Sequence, residues 1–267
     1  MPFLSRTILS NVWLPRRRFL ALAAASLGGT LLTGCDRLSE APDFQEFLSS
    51  AEWLTYRAQR LLGGGHALAR EFTASDVSPA FKVNGTGMPE GEEYAALREG
   101  NFADWRLHVD GLVAKPLDLS LADLRNLPQR TQITRHDCVE GWSAIGKWQG
   151  VPLAIVLTQA ALLPAARFVV FHCADVLEQT LDGTGQYYES IDLIDAFHPQ
   201  TILAHSLNDA LLTTGRGAPL RLRVERQLGY KHAKYVMRIE LTGGLDRFGR
   251  GKGGFWEDRG YEWYAGI

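Results

Sequence analysis

The sequence predicts an α+β fold with a mixed or antiparallel sheet, mostly β with short helices and preceded by one longer helix. Short strand-like segments recur between Trp105 and Thr242, and only a few short helical periodicities interrupt them. No internal repeat, Walker loop, G-x-G-x-x-G or G-x-S-x-G run points to another architecture. With 267 residues, 46% of them hydrophobic and 22% charged, the chain can bury a sizeable core. Three cysteines, no charge block and no glycine period exclude a disulfide-dense miniprotein, a disordered tail and a collagen-like repeat.

Residues 1–34 read as an export signal, with four arginines and no acidic residue. Arg16-Arg17-Arg18-Phe19-Leu20 precedes an uncharged stretch that runs to Thr33. The paired arginines resemble a twin-arginine signal, which implies export of an already folded protein. Leu32-Thr33-Gly34-Cys35 resembles a bacterial lipoprotein box, with Cys35 as the lipidated first residue. The apolar run falls short of the roughly 20 residues that span a bilayer, so cleavage is expected rather than a transmembrane anchor. The expected location is the periplasm, with membrane contact through Cys35. From Cys35 onward 24 basic residues face 30 acidic ones, a net charge of −6 that argues against nucleic-acid binding.

Residues 35–91 divide into a helix and a connecting loop. Phe44, Phe47, Leu48, Ala51, Leu54, Ala58 and Leu61 recur at spacings of three and four, which predicts an amphipathic helix between Asp43 and Leu62 stopped by Gly63-Gly64-Gly65. The Gly- and Pro-bearing stretch Ser75–Gly91 is then an ordered loop that holds Asn84.

The main domain is expected over residues 92–245. Trp105, Leu107 and Val109 alternate with Arg106, His108 and Asp110, a strand that the Asp110-Gly111 pair should turn. Ser120-Leu-Ala-Asp123 has the form of a capping box opening a short helix that Pro128 ends. Thr131–Cys138 reads as a strand, and Pro152 is placed to begin a helix running toward Leu163. Further strands are expected at Arg167–Cys173, Thr201–Ser206, Pro219–Glu225 and Lys234–Thr242. Residues 246–267 form a tail with five aromatics between Phe255 and Tyr264. It should pack back on the domain and cover a sheet edge, or else line a substrate channel.

With Cys35 assigned to processing, Cys138 and Cys173 remain in a chain bound for an oxidising compartment. The residues alone leave open a disulfide between them or a metal thiolate at Cys138. Cys138 ends a strand in a polar, Gly-containing turn, a setting in which sites are commonly built. His136 and His172 could join Cys138 and Cys173 in a copper or zinc site on neighbouring strands, or simply hydrogen-bond within them. Arg216, Arg221, Arg223, Arg226, Lys231, His232 and Lys234 gather within 19 residues of an otherwise acidic chain, a set able to hold a phosphate.

Several ordered motifs between Ala80 and Gly243 carry a family resemblance: Trp105-Arg-Leu-His-Val-Asp-Gly, Leu119-Ser-Leu-Ala-Asp-Leu, Cys138-Val-Glu-Gly-Trp-Ser, Trp148-Gln-Gly-Val-Pro-Leu and Gly217-Ala-Pro-Leu-Arg-Leu-Arg. In these the chain resembles the sulfite oxidase superfamily of molybdopterin enzymes, in particular the bacterial sulfite-oxidase-like group that includes the periplasmic methionine sulfoxide reductases. The resemblance implies a sulfite-oxidase-type domain with one molybdenum-molybdopterin per chain and Cys138 as its protein thiolate ligand. That role would consume the cysteine a disulfide needs. It further implies cofactor contacts from Asn84, Cys173, Arg216, Arg221 and the segment His232-Ala233-Lys234. The family pattern has Thr where this chain has Cys173 and Asn where it has Arg216.

The activity implied is oxygen-atom transfer on a small-molecule oxide. Its electrons would come from a separate membrane haem protein or cytochrome, since the chain has no C-x-x-C-H haem motif. Sulfite oxidases read Arg-Asn-His where this chain has Val83-Asn84-Gly85. A lost charge-assisted hydrogen bond to an anion costs roughly 1.5–3 kcal/mol, about ten- to a hundredfold in affinity. Reduction of S- or N-oxides is therefore expected, with sulfite oxidation at the same site, or a non-catalytic metal-binding lipoprotein, as the alternatives.

Overall fold

A computed structural model of the chain describes residues 42–63 and 67–267. The export signal, Arg16-Arg17 and Cys35 lie outside the described residues, as do Gly64 and Gly65. Residues 42–55 form a unit apart from Tyr56–Ile267, and the site lies wholly in the second. Helix α1 spans Pro42–Gly63, as the spacing predicts. Its apolar stripe does not anchor its C-terminal half: Leu61 is 83% exposed. Polar side chains anchor it instead, with Tyr56 donating to Asp192 Oδ2 at 3.0 Å and Arg60 to Asp192 and Asp195 at 2.7–2.9 Å. Among the described residues no helix is long and apolar enough to cross a membrane.

Among the described residues ten strands build two sheets. β1 (Arg106–Gly111), β2 (Leu117–Ser120), β5 (Phe168–Val176), β6 (Gln186–Asp192) and β10 (Val236–Thr242) form the first, in the order β2-β1-β10-β5-β6. Its β1–β10 pair is parallel and the others antiparallel, the mixed sheet expected. β3 (Arg130–Cys138), β4 (Trp142–Pro152), β7 (Ile202–Leu207) and β8 (Ala210–Leu211) form the second, with β9 (Arg221–Arg223) added to β7. Four short helices complete the domain: α2 (Glu92–Glu99), α3 (Leu121–Asn126), α4 (Leu153–Ala160) and α5 (Leu193–Ala196).

Local chemistry explains the elements the sequence showed. Ser120 Oγ accepts from the Asp123 amide at 3.1 Å and Asp123 accepts from the Ser120 amide at 2.9 Å, which starts α3. In α4, Leu153, Val156, Leu157 and Ala160 are all fully buried in the main core with Trp105, Leu107 and Val109.

Four departures have physical reasons. Asp110-Gly111 does not turn the chain: both residues stay in β1, opposite Glu240 and Leu241, with Gly111 at φ +82°. β4 escapes sequence reading because its inward positions include Gly146 and Gly150, which look like turn residues. A Cβ at Gly150 would overlap the Leu203 carbonyl of β7, so only glycine lets the strands meet there. β6 shows no alternation because every residue after Gln186 is buried. The C-terminal tail explains this burial, its Phe255 amide donating to Tyr188 O at 3.0 Å. α2 is short and buries only Tyr94, too little for a visible periodicity.

Gly150→Ala should therefore cost about 1–3 kcal/mol in denaturant unfolding. Unchanged stability would mean that β4 and β7 are not this close.

Candidate active site

Cys138 is the last residue of β3 and pairs with Trp142, the first of β4. Gly141, at φ +82°, closes the tight turn between them, its amide donating to Cys138 O at 3.0 Å. The thiol is half-buried, and burial pushes its pKa up against the opposing pull of the Glu140 backbone hydrogen bond. It stands at a cleft enclosing about 680 Å³ of open space including its mouth. Asn84, Gly85, Asp175, His232 and Lys234 line its base. Val139, Leu177, Tyr230, Trp256 and Tyr261 stand around it.

Arg221, on β9, is fully buried beneath this cleft with its guanidinium 5.3 Å from the Trp148 ring. It donates to Asn84 Oδ1 at 3.2 Å and to the Arg216 carbonyl at 3.4 Å, while its Nε has no partner. Burial, reinforced by Arg223, pushes its pKa down to about 9. Lys234 donates to the carbonyls of Asn84, Thr86 and Gly215 at 2.7, 2.5 and 3.1 Å. Burial, with Arg221 adding to it, pushes its pKa down to about 7. Among the described residues neither cation has a carboxylate within ion-pair distance.

Three other cations of the basic cluster are neutralised. Arg223 grips Glu225 at 2.6 and 2.9 Å, Arg226 meets Asp195 at 2.5 Å, and Lys231 lies between Glu189 and Glu257 at 2.5 Å from each. His232 donates from Nε2 to Gln227 O at 3.1 Å, which leaves Nδ1 as a buried, unpartnered acceptor. Its pKa falls well below the usual range through burial and then Arg223, so it is neutral. His136 accepts at Nδ1 from Arg223 at 2.9 Å and stands 5.2 Å from the His232 ring, a structural partner to the site. Ala233 is fully buried between His232 and Lys234, its carbonyl accepting from the Leu222 amide at 2.8 Å.

Two of the expected side chains lie away from the cleft lining. Cys173 is buried in the core beneath β5, with Phe171 O its nearest acceptor at 3.9 Å, and it does not line the cleft. Two residues further along the same strand, Asp175 does line it, with Oδ1 buried and unpartnered and its pKa raised to about 6 by burial. The period of two was the signal that could have found it, since i and i+2 share a strand face. The Arg216 side chain turns away, donating to Lys82 O at 2.5 Å and lying 5.2 Å from the Phe81 ring, and only its carbonyl reaches Arg221.

The disulfide and the copper or zinc cluster both fail. Cys138 and Cys173 are free thiols. His172 sits on the first sheet with Glu240 at 3.0 Å, while His136 and Cys138 belong to the second. No three His, Cys, Asp or Glu side chains converge as a metal site among the described residues. A metal beside Cys138 would need ligands that arrive with it. Two unpaired buried cations, an unpartnered carboxylate oxygen, a bare imidazole nitrogen and a thiol fit a polar heterocycle that ends in phosphate and carries a metal.

The oxidoreductase molybdopterin binding domain family matches residues 94–245, more than half of the chain. A chain of Azospira oryzae provisionally named as a protein-methionine-sulfoxide reductase subunit is 37% identical over 95% of this chain and 88% of its own length. The protein-methionine-sulfoxide reductase catalytic subunit of Campylobacter jejuni is 33% identical over 53% of this chain and 50% of its own. Among solved structures, the sulfane dehydrogenase SoxCD of Paracoccus pantotrophus aligns with a TM-score of 0.47 at 24% identity, covering 53% of this chain and 39% of that one.

The burial of Lys234 makes a pH-dependent prediction for the cofactor-free protein. Its folded pKa lies below its unfolded value, so the native state resists protonation. The full cost is present below about pH 7 and fades as pH rises toward 10.5. Lys234→Met should therefore raise the thermal midpoint of the cofactor-free chain most at pH 6, with the gain shrinking toward pH 10. A pH-independent effect would show that Lys234 titrates normally.

Proposed function

The chain belongs to the molybdopterin-binding oxidoreductase family, and from that membership we propose that it reduces uncharged S- or N-oxides at a molybdenum held by Cys138. When bound, the cofactor supplies two-electron oxygen-atom transfer: oxide, two electrons and two protons give the reduced product and water. Cys138 would supply the protein sulfur. Arg221 and Lys234 would neutralise the phosphate, with Asn84 held against the same end by its bond to Arg221. Asp175 Oδ1 can accept an N–H from the heterocycle and His232 Nδ1 a second, which would satisfy both orphaned atoms. Glu140, at the cleft next to Cys138 and oriented by the Trp142 indole at 2.9 Å, is placed to pass a proton to the departing oxygen.

The charge at the mouth carries the choice of an uncharged oxide. Besides His232 and the phenols of Tyr187, Tyr230 and Tyr261, the titratable side chains lining the cleft beyond Cys138 are Glu140, Asp175 and Lys234, and the Lys234 charge is the one the phosphate would compensate. Lys82 is exposed and absent from the lining, and Val83 adds no charge. A sulfite dianion would meet a carboxylate and no free cation. Both sequence relatives are named as methionine-sulfoxide reductase subunits, which supports sulfoxides as substrates and a separate electron-transfer partner. We propose a membrane haem protein or cytochrome in that role.

With reduced viologen as donor, the molybdenum-loaded chain should reduce sulfoxides. With ferricyanide, its kcat/KM for sulfite should be at least about tenfold lower. Cys138→Ser should retain pterin and lose turnover. Efficient sulfite oxidation would overturn the assignment.

The proposed location is the periplasm, through the Arg16-Arg17 signal and a lipid on Cys35. Replacing both arginines by lysine should leave precursor in the cytoplasm, and mass spectrometry of the mature protein should find Cys35 lipidated at its amino terminus. A periplasmic form that begins at Met1 would refute both.

A further inference from the structure

We propose that the stacked pair Trp256 and Tyr261 is the specificity wall of the cleft, selecting oxides whose sulfur carries an uncharged apolar substituent such as an aryl ring. The inference rests on the oxide-reductase assignment above and adds the substrate class. The two rings lie 5.2 Å apart at 29°, and the Tyr261 amide donates to Trp256 O at 3.0 Å, so a single turn of the tail presents both. Tyr230 packs edge-on against Tyr261 at 5.2 Å, and all three rings line the cleft that holds Cys138. Val139, beside Cys138 and 45% exposed, extends the same apolar rim.

Position separates this pair from the other tail aromatics, since Phe255, Trp263 and Tyr264 do not line the cleft. Phe255 is 1% exposed and belongs to the core, whereas Trp256 is half-buried and Tyr261 is 40% exposed. A tail that served only as a cover would turn its aromatics inward as Phe255 does. The open ring faces suit a hydrocarbon or thioether substituent, which gains from aromatic and sulfur–aromatic contact. Glu140, in the same lining two residues from Cys138, disfavours an anionic one.

The wall is also held rigid from both sides. Glu257, next to Trp256, bonds Lys231, which is fully buried and shared with Glu189. Arg259 reaches Glu178 at 3.0 and 2.5 Å, on the loop that carries Leu177, and lies 3.5 Å over the Phe255 ring. Glu257 and Arg259 are positioning residues: they fix the aromatic pair before substrate arrives, which spares the cost of ordering it.

The test uses the full-length molybdenum-loaded chain with reduced viologen supplying two electrons per turnover. It compares kcat/KM for methyl p-tolyl sulfoxide and dimethyl sulfoxide. In Trp256→Ala the aryl-to-dimethyl ratio should fall about tenfold, chiefly through KM, and Trp256→Phe should restore most of it. Calorimetric titration of methyl p-tolyl sulfoxide into the oxidised enzyme, without reductant, should show its Kd raised by the same factor at unchanged molybdenum content. If Trp256→Ala does not fold, Tyr261→Ala, at a more exposed position, should shift the ratio in the same direction. Turnover of both sulfoxides with an unchanged ratio overturns this inference alone. A wild-type enzyme that turns over neither overturns the oxide-reductase assignment and the inference with it.

Discussion

Two buried cations that no carboxylate neutralises, Arg221 and Lys234, place a demand on everything around them. An unpaired charge taken out of water costs several kcal/mol unless dipoles or a counter-ion replace the lost hydration. The chain meets part of the demand with the Trp148 face under Arg221 and three carbonyls around Lys234. Two of those carbonyls belong to Asn84 and Thr86, so the loop before the main domain is folded around the amine. The remaining charge has no protein carboxylate to compensate it, which is why we propose that the cofactor's phosphate binds there.

The neighbouring cations show what neutralisation looks like in the same sequence. Arg223 has both Glu225 oxygens and passes a hydrogen bond to His136, which locks β9 to β3. Arg60 and Arg226 share Asp195, which joins the end of α1 to the segment after β9. Lys231 sits between two carboxylates. Burial and the Glu257 charge push the Glu189 carboxyl well above the carboxylate range, so this triad carries less negative charge than its formula suggests. Such buried pairs add little net stability but are expensive to break, so they fix the geometry of the walls.

The cleft forms where the two sheets bring different chemistry together. The second sheet contributes the β3–β4 hairpin with Cys138 and the short strand with Arg221. The first contributes the end of β5 with Asp175, and the tail that runs along β6 adds Trp256 and Tyr261. Each part is anchored in its own sheet, so the cleft is built before any ligand enters it.

The fold class, the helices at α1, α3 and α4 and six of the strands were legible in the sequence. Their signals are local: a capping box at Ser120, a period of three and four from Leu153, alternation from Trp105. Cys138 was legible too, because its strand-end turn and the motif around it are contiguous. What the sequence could not decide was set by neighbours distant along the chain. Gly150 looks like a breaker until β7 lies against it, and β6 loses its alternation because the tail buries its second face. Arg221 and Arg223 are chemically alike and two residues apart, yet Glu225 neutralises one and leaves the other without a carboxylate. Asp175 rather than Cys173 faces the cleft because position along the strand, not side-chain softness, decides which residue reaches the opening. The sequence by itself determined the elements whose signals are local and, through the family resemblance, offered Cys138 as the thiolate candidate. Only the tertiary structure decided which charges stay unpaired and which side chains line the site, because pairing and burial depend on contacts between residues far apart in sequence.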